Sequence, residues 1–182
     1  TLYGLAASAF NVKAVERVFR VKNRMSTMAL PLLLSNTDDL YLCARSVPDV
    51  AIELAERFWP GPLTIVLNRS VSIPNVVTGG LGSVALRVPN HPVPRAIVQE
   101  LGCPITGTSA NRTGSPAPFS SSAAYEQFGE EVDYIIEGGI CEVGEPSTIL
   151  DLTGSVPLLL REGALSYTQI LEVLKDDVNI AE

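Results

Sequence analysis

The sequence predicts a single α/β domain, and three features of the chain support this prediction. At 182 residues with 46% apolar side chains, the chain is long enough for one domain with a sizeable core and short for two. Short apolar runs typical of buried strands alternate with segments of helical periodicity. Polar fragments follow several of the apolar runs, and open α/β sheets bind ligands at the ends of their strands. One domain with a ligand site at a sheet edge is therefore expected.

Helices are predicted where apolar residues recur every three or four positions behind a capping residue. Asn11 can cap the first helix, whose apolar stripe leads to Lys22 at its end. The run Trp59-Pro60-Gly61-Pro62 stops the second helix because proline cannot continue it. The predicted helices cover residues 12–21, 46–58, 94–101, 120–128 and 166–174.

Strands are predicted where Val, Ile and Leu form short runs bounded by turn residues. These strands cover residues 29–34, 63–68, 84–88, 104–106, 132–136, 148–152 and 157–161. No internal repeat or linker interrupts them, which favours one domain over residues 1–174. Residues 175–182 are polar and are expected to form a frayed tail.

Composition excludes several classes of protein. No apolar run reaches the length of a membrane-spanning helix, and no secretory signal opens the chain. Cys43, Cys103 and Cys141 are odd in number and widely spaced, so a disulfide framework or zinc site is not expected. They are interpreted as buried small residues in a protein of the reducing cytoplasm. The net charge of −7 argues against broad, salt-driven adhesion to nucleic acid.

A catalytic base and a metal cage are not evident. His91, the one histidine of the chain, has no partner nearby in sequence and is expected to lie in a loop. The acidic pairs Asp38-Asp39 and Glu130-Glu131 are interpreted as exposed charges. No catalytic residue and no metal ligand is therefore assigned.

Four cations stand beside polar motifs: Lys22, Arg24, Arg87 and Arg161. Each taken alone is equally well explained as a solvated surface charge, and Arg87 as a salt bridge at the rim. The set, combined with Ser and Asn side chains, favours a cradle for a phosphorylated ligand.

Short polar residues accompany these cations. Ser109 and Asn111 are spaced i, i+2, so on an extended segment both side chains leave the same face, although a simple turn also explains the motif. Arg87 ends a strand, where it can hold a carboxylate in bidentate fashion. Ser147 at a strand start can bind an ammonium or a carboxylate, or satisfy a turn.

The order of the motifs resembles the Sua5/YciO/YrdC family. The resemblance runs from Thr1 to about Leu174, and its most specific parts are the segments 59–64 and 108–111. The matching motifs are TLYGL, KxR, FWPGPLT, VALRVP, TSANRTG, PSTILD and LREGA. The resemblance implies a YrdC-like fold: a twisted, open, mixed α/β sheet with flanking helices and a large concave substrate-binding face.

The resemblance also implies an activity and its ligands. The expected reaction is that of L-threonylcarbamoyladenylate synthase, a nucleotidyltransferase that makes threonylcarbamoyl-AMP and pyrophosphate from L-threonine, bicarbonate and ATP. Mg²⁺ would arrive with ATP, and no organic prosthetic group is implied. The product would pass to a tRNA threonylcarbamoyl transferase complex that modifies adenosine 37, which leaves weak RNA binding open. This chemistry implies a cytoplasmic enzyme.

Site residues follow from the matching positions. ATP binding is implied for Lys22, Arg24, Ser83, Asn111 and Arg161. L-Threonine binding is implied for Thr1, Arg87, Ser109 and Ser147.

Several positions depart from the family's pattern. Met25 and Ala29 replace prolines, Met28 replaces a polar residue, and Leu33 stands where many longer members carry a histidine. The chain begins inside the first motif, which suggests a trimmed, short, YrdC-like form. Two alternatives therefore stay open: a YciO-like paralogue or carbamoyl-adenylate-forming enzyme, and a non-catalytic module that binds double-stranded RNA.

Overall fold

A mixed six-stranded sheet forms the centre of the computed structural model, which describes residues 2–141 and 145–174. The strands are β1 (Gly4–Leu5), β2 (Leu32–Leu33), β3 (Leu63–Asn68), β4 (Ser83–Arg87), β5 (Ile105–Thr106), β6 (Thr108–Ser109), β7 (Thr148–Asp151) and β8 (Leu158–Arg161). Their order in the central sheet is β5-β2-β4-β3-β7-β8. The β2–β4 and β3–β7 pairs are parallel and the other pairs antiparallel. A small antiparallel ladder joins β1 to β6.

Helices connect and flank the strands. They are α1 (Val12–Lys22), α2 (Leu40–Cys43), α3 (Asp49–Phe58), α4 (Asn75–Thr78), α5 (Pro92–Leu101), α6 (Ser121–Phe128) and α7 (Tyr167–Leu174). Asn11 caps α1 as expected, because its side chain accepts a hydrogen bond from the Ala14 amide at 3.1 Å. The predicted class, an α/β domain with a mixed sheet and flanking helices, is confirmed.

One face of the central sheet carries the core. Successive side chains of a strand point to opposite faces, so alternate residues of β3, β4 and β7 are buried together. These residues are Leu63, Ile65, Leu67, Val84, Leu86 and Leu150, all at most 2% exposed. Apolar residues of α1, α2, α3, α4 and α7 cover them in a single cluster. On the opposite face, Leu33, Ala85, Arg87 and Ile149 are partly exposed, whereas Thr64 and Val66 of β3 are buried.

The structure differs from the sequence-based prediction in several elements. Residues 132–136 form no strand: Tyr134 is 82% exposed, and the segment is attached by the side chain of Arg17, which binds Asp133. Val132 packs against the small cluster that contains Phe128, but the segment pairs with no strand, so its β-branched composition does not produce one. The predicted strand 29–34 shrinks to β2, and the short elements α2, α4 and β1 were not predicted.

The cysteine prediction holds in part. All three cysteines are free; Cys43 is buried, and Cys103 and Cys141 are half-buried. Burial, with a smaller contribution from Asp39, raises the pKa of the Cys43 thiol to about 12, which makes it an inert core residue.

Two expectations fall partly or wholly outside the described residues. The tail at 175–182 and Thr1 are not among them.

None of the described helices is both long and apolar enough to cross a bilayer.

Candidate active site

The open face of the sheet carries the polar residues that the sequence singled out. Strand pairing places Leu33 beside Arg87, and Arg161 beside Ile149. Leu33, Arg87 and Ile149 alternate with buried residues along their strands, so they lie on the face opposite the core. Arg161 joins them through its pairing with Ile149, although β8 is an edge strand whose Leu160 is exposed as well. The open face thus combines an apolar floor with guanidinium groups at one end.

Arg87 and Arg161 form a pair of like charges at this end. The Arg87 Nε donates to the Gly61 carbonyl at 2.8 Å. Arg161 donates from Nε and Nη2 to the Ser147 carbonyl at 3.0 and 2.7 Å. Burial, and then the neighbouring charge of Arg161, lower the pKa of Arg87. The repulsion between the two guanidinium groups would be relieved by an anion bound between them.

Ser147 lies at the centre of this end of the site. Its Oγ lies 3.1 Å from Arg161 Nη2 and 2.8 Å from the Thr64 Oγ1. Gly163 holds the segment in place by close approach: a Cβ there would lie 2.2 Å from the Pro146 carbonyl oxygen, which only glycine avoids. The glycine of the Leu160-Arg161-Glu162-Gly163 motif therefore fixes the backbone on which Ser147 sits.

Lys22 and Arg24 form a second pair of cations. Lys22 ends α1 and is only 2% exposed, and its Nζ donates to the carbonyls of Ser109 at 2.5 Å and Asn111 at 2.6 Å. Burial, and then the charge of Arg24, lower the pKa of Lys22 to about 8. Two of the three ammonium donors are thus used inside the protein, which leaves one for a ligand.

Arg24 has an unused donor of its own. Its Nη2 donates to the Ala29 carbonyl at 3.0 Å, and burial lowers its pKa. Its Nε is buried and is the single buried side-chain nitrogen or oxygen among the described residues without a hydrogen-bond partner. An unpaired buried donor costs about 1–3 kcal/mol, so this nitrogen favours an anionic acceptor in the site.

Ser109 and Asn111 meet each other as well as Lys22. The Asn111 amide donates to the Ser109 carbonyl at 2.9 Å, so the backbone turns here, as the alternative interpretation of the motif expected, and Ser109 Oγ donates to Asn111 Oδ1 at 2.5 Å. The Asn111 Nδ2 donates to the Ser115 carbonyl at 2.6 Å. The structure therefore shows a hydrogen-bonded loop, with Lys22 underneath it.

The predicted residues that the structure describes fall into two groups, called here the Arg87 group and the Lys22 group, and Ser83 belongs to neither. Arg87, Ser147 and Arg161 come together, and Lys22, Arg24, Ser109 and Asn111 form the other group. Leu33 lies between these groups, since it pairs with Arg87 and packs against the position of Gly107, two residues before Ser109.

Ser83 lies apart from both groups. It occupies the far end of β4 from Arg87, about 13 Å away along the strand at 3.3 Å per residue. Thr1 is not among the described residues. The nearby strand β1 pairs with β6, in which Gly4 lies opposite Ser109.

His91 takes a structural role at the start of α5. Its Nδ1 accepts a hydrogen bond from the Val93 amide at 3.3 Å, as an N-cap residue does. One residue of the site was missed by the sequence analysis: Thr64. Its signal was a single hydroxyl in the otherwise apolar run of β3.

None of the four site cations has a carboxylate partner in the described residues. The two salt bridges found there join Arg17 to Asp133 and Arg112 to Glu131, away from the site. The acceptors of the site cations are carbonyl and hydroxyl oxygens, which carry no net charge. The site therefore retains four positive charges for a ligand, within a chain whose net charge is −7.

Comparison with known proteins identifies the relatives of this chain. The model of the Sua5/YciO/YrdC family, described as telomere recombination, matches residues 1–163. A threonylcarbamoyl-AMP synthase of Pyrococcus abyssi is 40% identical over 174 residues, which is 96% of this chain and 51% of that protein. The chain thus spans about half the length of such curated relatives.

Solved structures of the same family have a similar fold. P. abyssi Sua5 in complex with L-threonine superposes with a TM-score of 0.92 at 39% identity, covering 100% of this chain and 53% of that one. E. coli YciO superposes with a TM-score of 0.81 at 26% identity, covering 94% of this chain and 83% of that one.

Proposed function

This chain belongs to the Sua5/YciO/YrdC family, and from that premise we propose that it is a threonylcarbamoyl-AMP synthase domain. The reaction joins L-threonine, bicarbonate and ATP into threonylcarbamoyl-AMP, with release of pyrophosphate and water. One observation carries the proposal: two pairs of cations, Arg87 with Arg161 and Lys22 with Arg24, have no carboxylate partner among the described residues and lie near serine hydroxyl groups. Such pairs fit a ligand set that contains both a triphosphate and a carboxylate.

The Arg87 group supplies the amino-acid end of the proposed site. The guanidinium of Arg87 suits the carboxylate of L-threonine, and Ser147 and Arg161 lie beside it. The P. abyssi relative has been solved with L-threonine, which supports this substrate for the present chain.

The Lys22 group supplies the nucleotide end. Arg24 has a buried, unpaired Nε, and Lys22 keeps one free donor; both suit phosphate oxygens. Asn111 and Ser109 form the loop that Lys22 holds, so the shape of this loop and the position of the ammonium depend on each other.

The proposed chemistry depends on positioning and charge. The amino nitrogen of L-threonine attacks the carbon of bicarbonate, and loss of water leaves a carbamate. A carbamate oxygen then attacks the α-phosphorus of ATP, and the bond to pyrophosphate breaks. Negative charge grows on the phosphate oxygens in this step, and fixed cations stabilise it in a partly desolvated site.

Further ligands and partners belong to the same proposal. We propose that Mg²⁺ arrives on the phosphates of ATP; residues 2–141 and 145–174 contain no cluster of acidic, His or Cys side chains suited to a metal of their own. The product would be passed in the cytoplasm to a transferase that modifies adenosine 37 of tRNA. RNA binding by this domain would be weak, given its net charge of −7.

A YciO-like activity is the second candidate, because E. coli YciO shares the fold at 26% identity over 94% of the chain. Leu33 and Met25 depart from the synthase pattern and keep this candidate in view. A carbamoyl-adenylate-forming enzyme would differ by its indifference to L-threonine.

The test is pyrophosphate release from Mg-ATP, with L-threonine and bicarbonate each present or omitted. We expect release only with both, and we expect Arg87→Ala to raise the L-threonine concentration needed for half-maximal rate at least tenfold. Arg45→Ala is the matched control, because it removes an exposed arginine beside Asn68, at the opposite end of β3 and β4 from Arg87. Release that continues without L-threonine, or no release from the folded chain under any combination, would contradict the proposal.

A further inference from the structure

The buried hydroxyl pair beneath Arg161 has a defined direction of hydrogen bonding. Thr64 Oγ1 and Ser147 Oγ lie 2.8 Å apart, and either oxygen can be the donor on distance alone. Thr64 is 2% exposed and Ser147 is 9% exposed. The surroundings of each hydroxyl therefore decide which one donates.

The surroundings of Thr64 require it to donate. Among the described residues, Ser147 Oγ is the hydrogen-bond partner of the Thr64 side chain. If Ser147 donated, the Thr64 proton would be buried without an acceptor, at a cost that native structures avoid. If Thr64 donates, the proton left without a protein acceptor is that of Ser147, which at 9% exposed is the less buried of the two hydroxyls.

Ser147 then has a single role left. Its Oγ also accepts from Arg161 Nη2 at 3.1 Å, so both lone pairs of the hydroxyl oxygen are occupied. Its own proton has no acceptor among the described residues, and Ser147 directly precedes β7 with a small exposed fraction of 9%. Such a hydroxyl can donate to an oxygen, but it cannot accept from an ammonium.

We propose that Thr64 is a positioning residue that fixes Ser147 as a hydrogen-bond donor to a carboxylate oxygen of the bound amino acid. This inference rests on the proposed function for the identity of the ligand. It narrows the sequence-based expectation for Ser147, which left open the binding of an ammonium, the binding of a carboxylate or a role in a turn. It also gives a role to the threonine of the FWPGPLT motif, which the site residues did not include.

The first test uses an isosteric series at Thr64. Thr64→Val removes the hydroxyl and keeps the shape, so the Ser147 hydroxyl is free to rotate. We expect the KM for L-threonine to rise about fivefold, with the KM for ATP unchanged, and Thr64→Ser to restore it. In a Ser147→Ala background, Thr64→Val should add nothing, because Thr64 acts through Ser147. An undiminished effect in that background, or no rescue by Thr64→Ser, would overturn the inference.

The second test does not depend on the reaction. Neutron diffraction from deuterated crystals of the wild-type chain locates the deuterium on each hydroxyl. We expect the deuterium of Thr64 to lie on the line to Ser147 Oγ; a Ser147 deuterium pointing at Thr64 would refute the inference. A failure of the proposed function would instead appear as wild-type protein that releases no pyrophosphate with L-threonine, whatever the hydroxyl directions.

Discussion

Replacing Lys22 by Met should remove a stability increase that the wild-type chain shows at alkaline pH. The perturbation removes one buried ammonium and keeps the length of the side chain. In the folded chain, burial and the charge of Arg24 lower the pKa of Lys22 to about 8, from the ordinary value of 10.5. The folded state therefore releases this proton before the unfolded state does.

The sign of the effect follows from proton counting. Between pH 8 and pH 10.5 the unfolded chain holds more protons at this position than the folded chain. The free energy of unfolding rises with pH wherever the unfolded state binds more protons, by at most about 1.4 kcal/mol per pH unit for one group. From pH 8 to pH 10, the wild type should gain about 1–2 kcal/mol relative to Lys22→Met.

The variant should also be less stable at every pH. It leaves the carbonyls of Ser109 and Asn111 without their buried donor, and it also removes the cost of burying an ammonium. The net loss in the free energy of unfolding is expected to be on the order of 1–3 kcal/mol. The difference between wild type and variant is therefore expected to be positive at neutral pH and to widen above pH 8.

Urea denaturation at several pH values measures this difference. Trp59, the one tryptophan of the chain, is 9% exposed and its Nε1 donates to the Leu63 carbonyl, so its fluorescence reports unfolding. Lys13→Met removes an exposed lysine from the same helix, and effects common to any lysine subtract out between the two variants. A wild-type minus Lys22→Met difference that stays constant from pH 7 to pH 10 would refute the reasoning.

Three further outcomes are expected. Arg24→Ala should lower kcat/KM for ATP about 100-fold, because it removes charged contacts that stabilise the transition state by about 3 kcal/mol. The urea midpoint should not change. Full pyrophosphate release by this variant would show that the nucleotide site is misplaced. Gly163→Ala should lower the free energy of unfolding by about 1–3 kcal/mol, measured by urea denaturation, because its Cβ would overlap the Pro146 carbonyl; a neutral result would mean that the strand moves freely. Asp133→Asn breaks an exposed ion pair with Arg17 and should cost less than about 1 kcal/mol in the same assay, so a larger loss would assign that loop a structural role.

Elements with strong local signals were predictable from the sequence. The strand Leu63–Asn68 and the cap of α1 at Asn11 match the structure, because an apolar run bounded by proline and a capping side chain act within a few residues. The β1–β6 ladder was not predictable in this way. Its pairs, such as Gly4 with Ser109, join two-residue strands from distant parts of the chain, and no local pattern encodes them.

The segment 132–136 shows how context overrides propensity. Its Val, Tyr and Ile residues favour a strand, yet Tyr134 and Ile136 are exposed and no neighbouring strand pairs with it. Contacts with other elements hold the segment instead: Arg17 Nη1 donates to Asp133 Oδ1 at 2.8 Å, and Val132 packs against the cluster that contains Phe128. Propensity describes what a segment would do beside a partner strand, and this segment has none.

The site was predictable in its residue types and less so in its contacts. Cations beside Ser and Asn indicated an anion-binding site, but their partners depend on the tertiary fold. Lys22 was expected to face phosphate, whereas two of its donors bind the loop of Ser109 and Asn111. Thr64 was missed because a hydroxyl inside an apolar strand is first interpreted as a satisfied core residue.

The choice of neutral acceptors explains how an acidic chain can hold an anion site. Each cation of the site is fixed by carbonyl or hydroxyl oxygens, for example Arg87 by Gly61 and Arg24 by Ala29. A carboxylate in the same place would hold the side chain equally well and cancel its charge before a ligand arrived. Carbonyls orient the cation and leave its charge for the ligand. The surplus of acidic residues elsewhere then disfavours long polyanions such as RNA without weakening the local attraction for a small anion, since at physiological salt surface charges act over about 8 Å. Ala85→Asp places a carboxylate two residues from Arg87 on β4. This substitution should therefore weaken ligand binding, although it changes the net charge of the domain by a single unit.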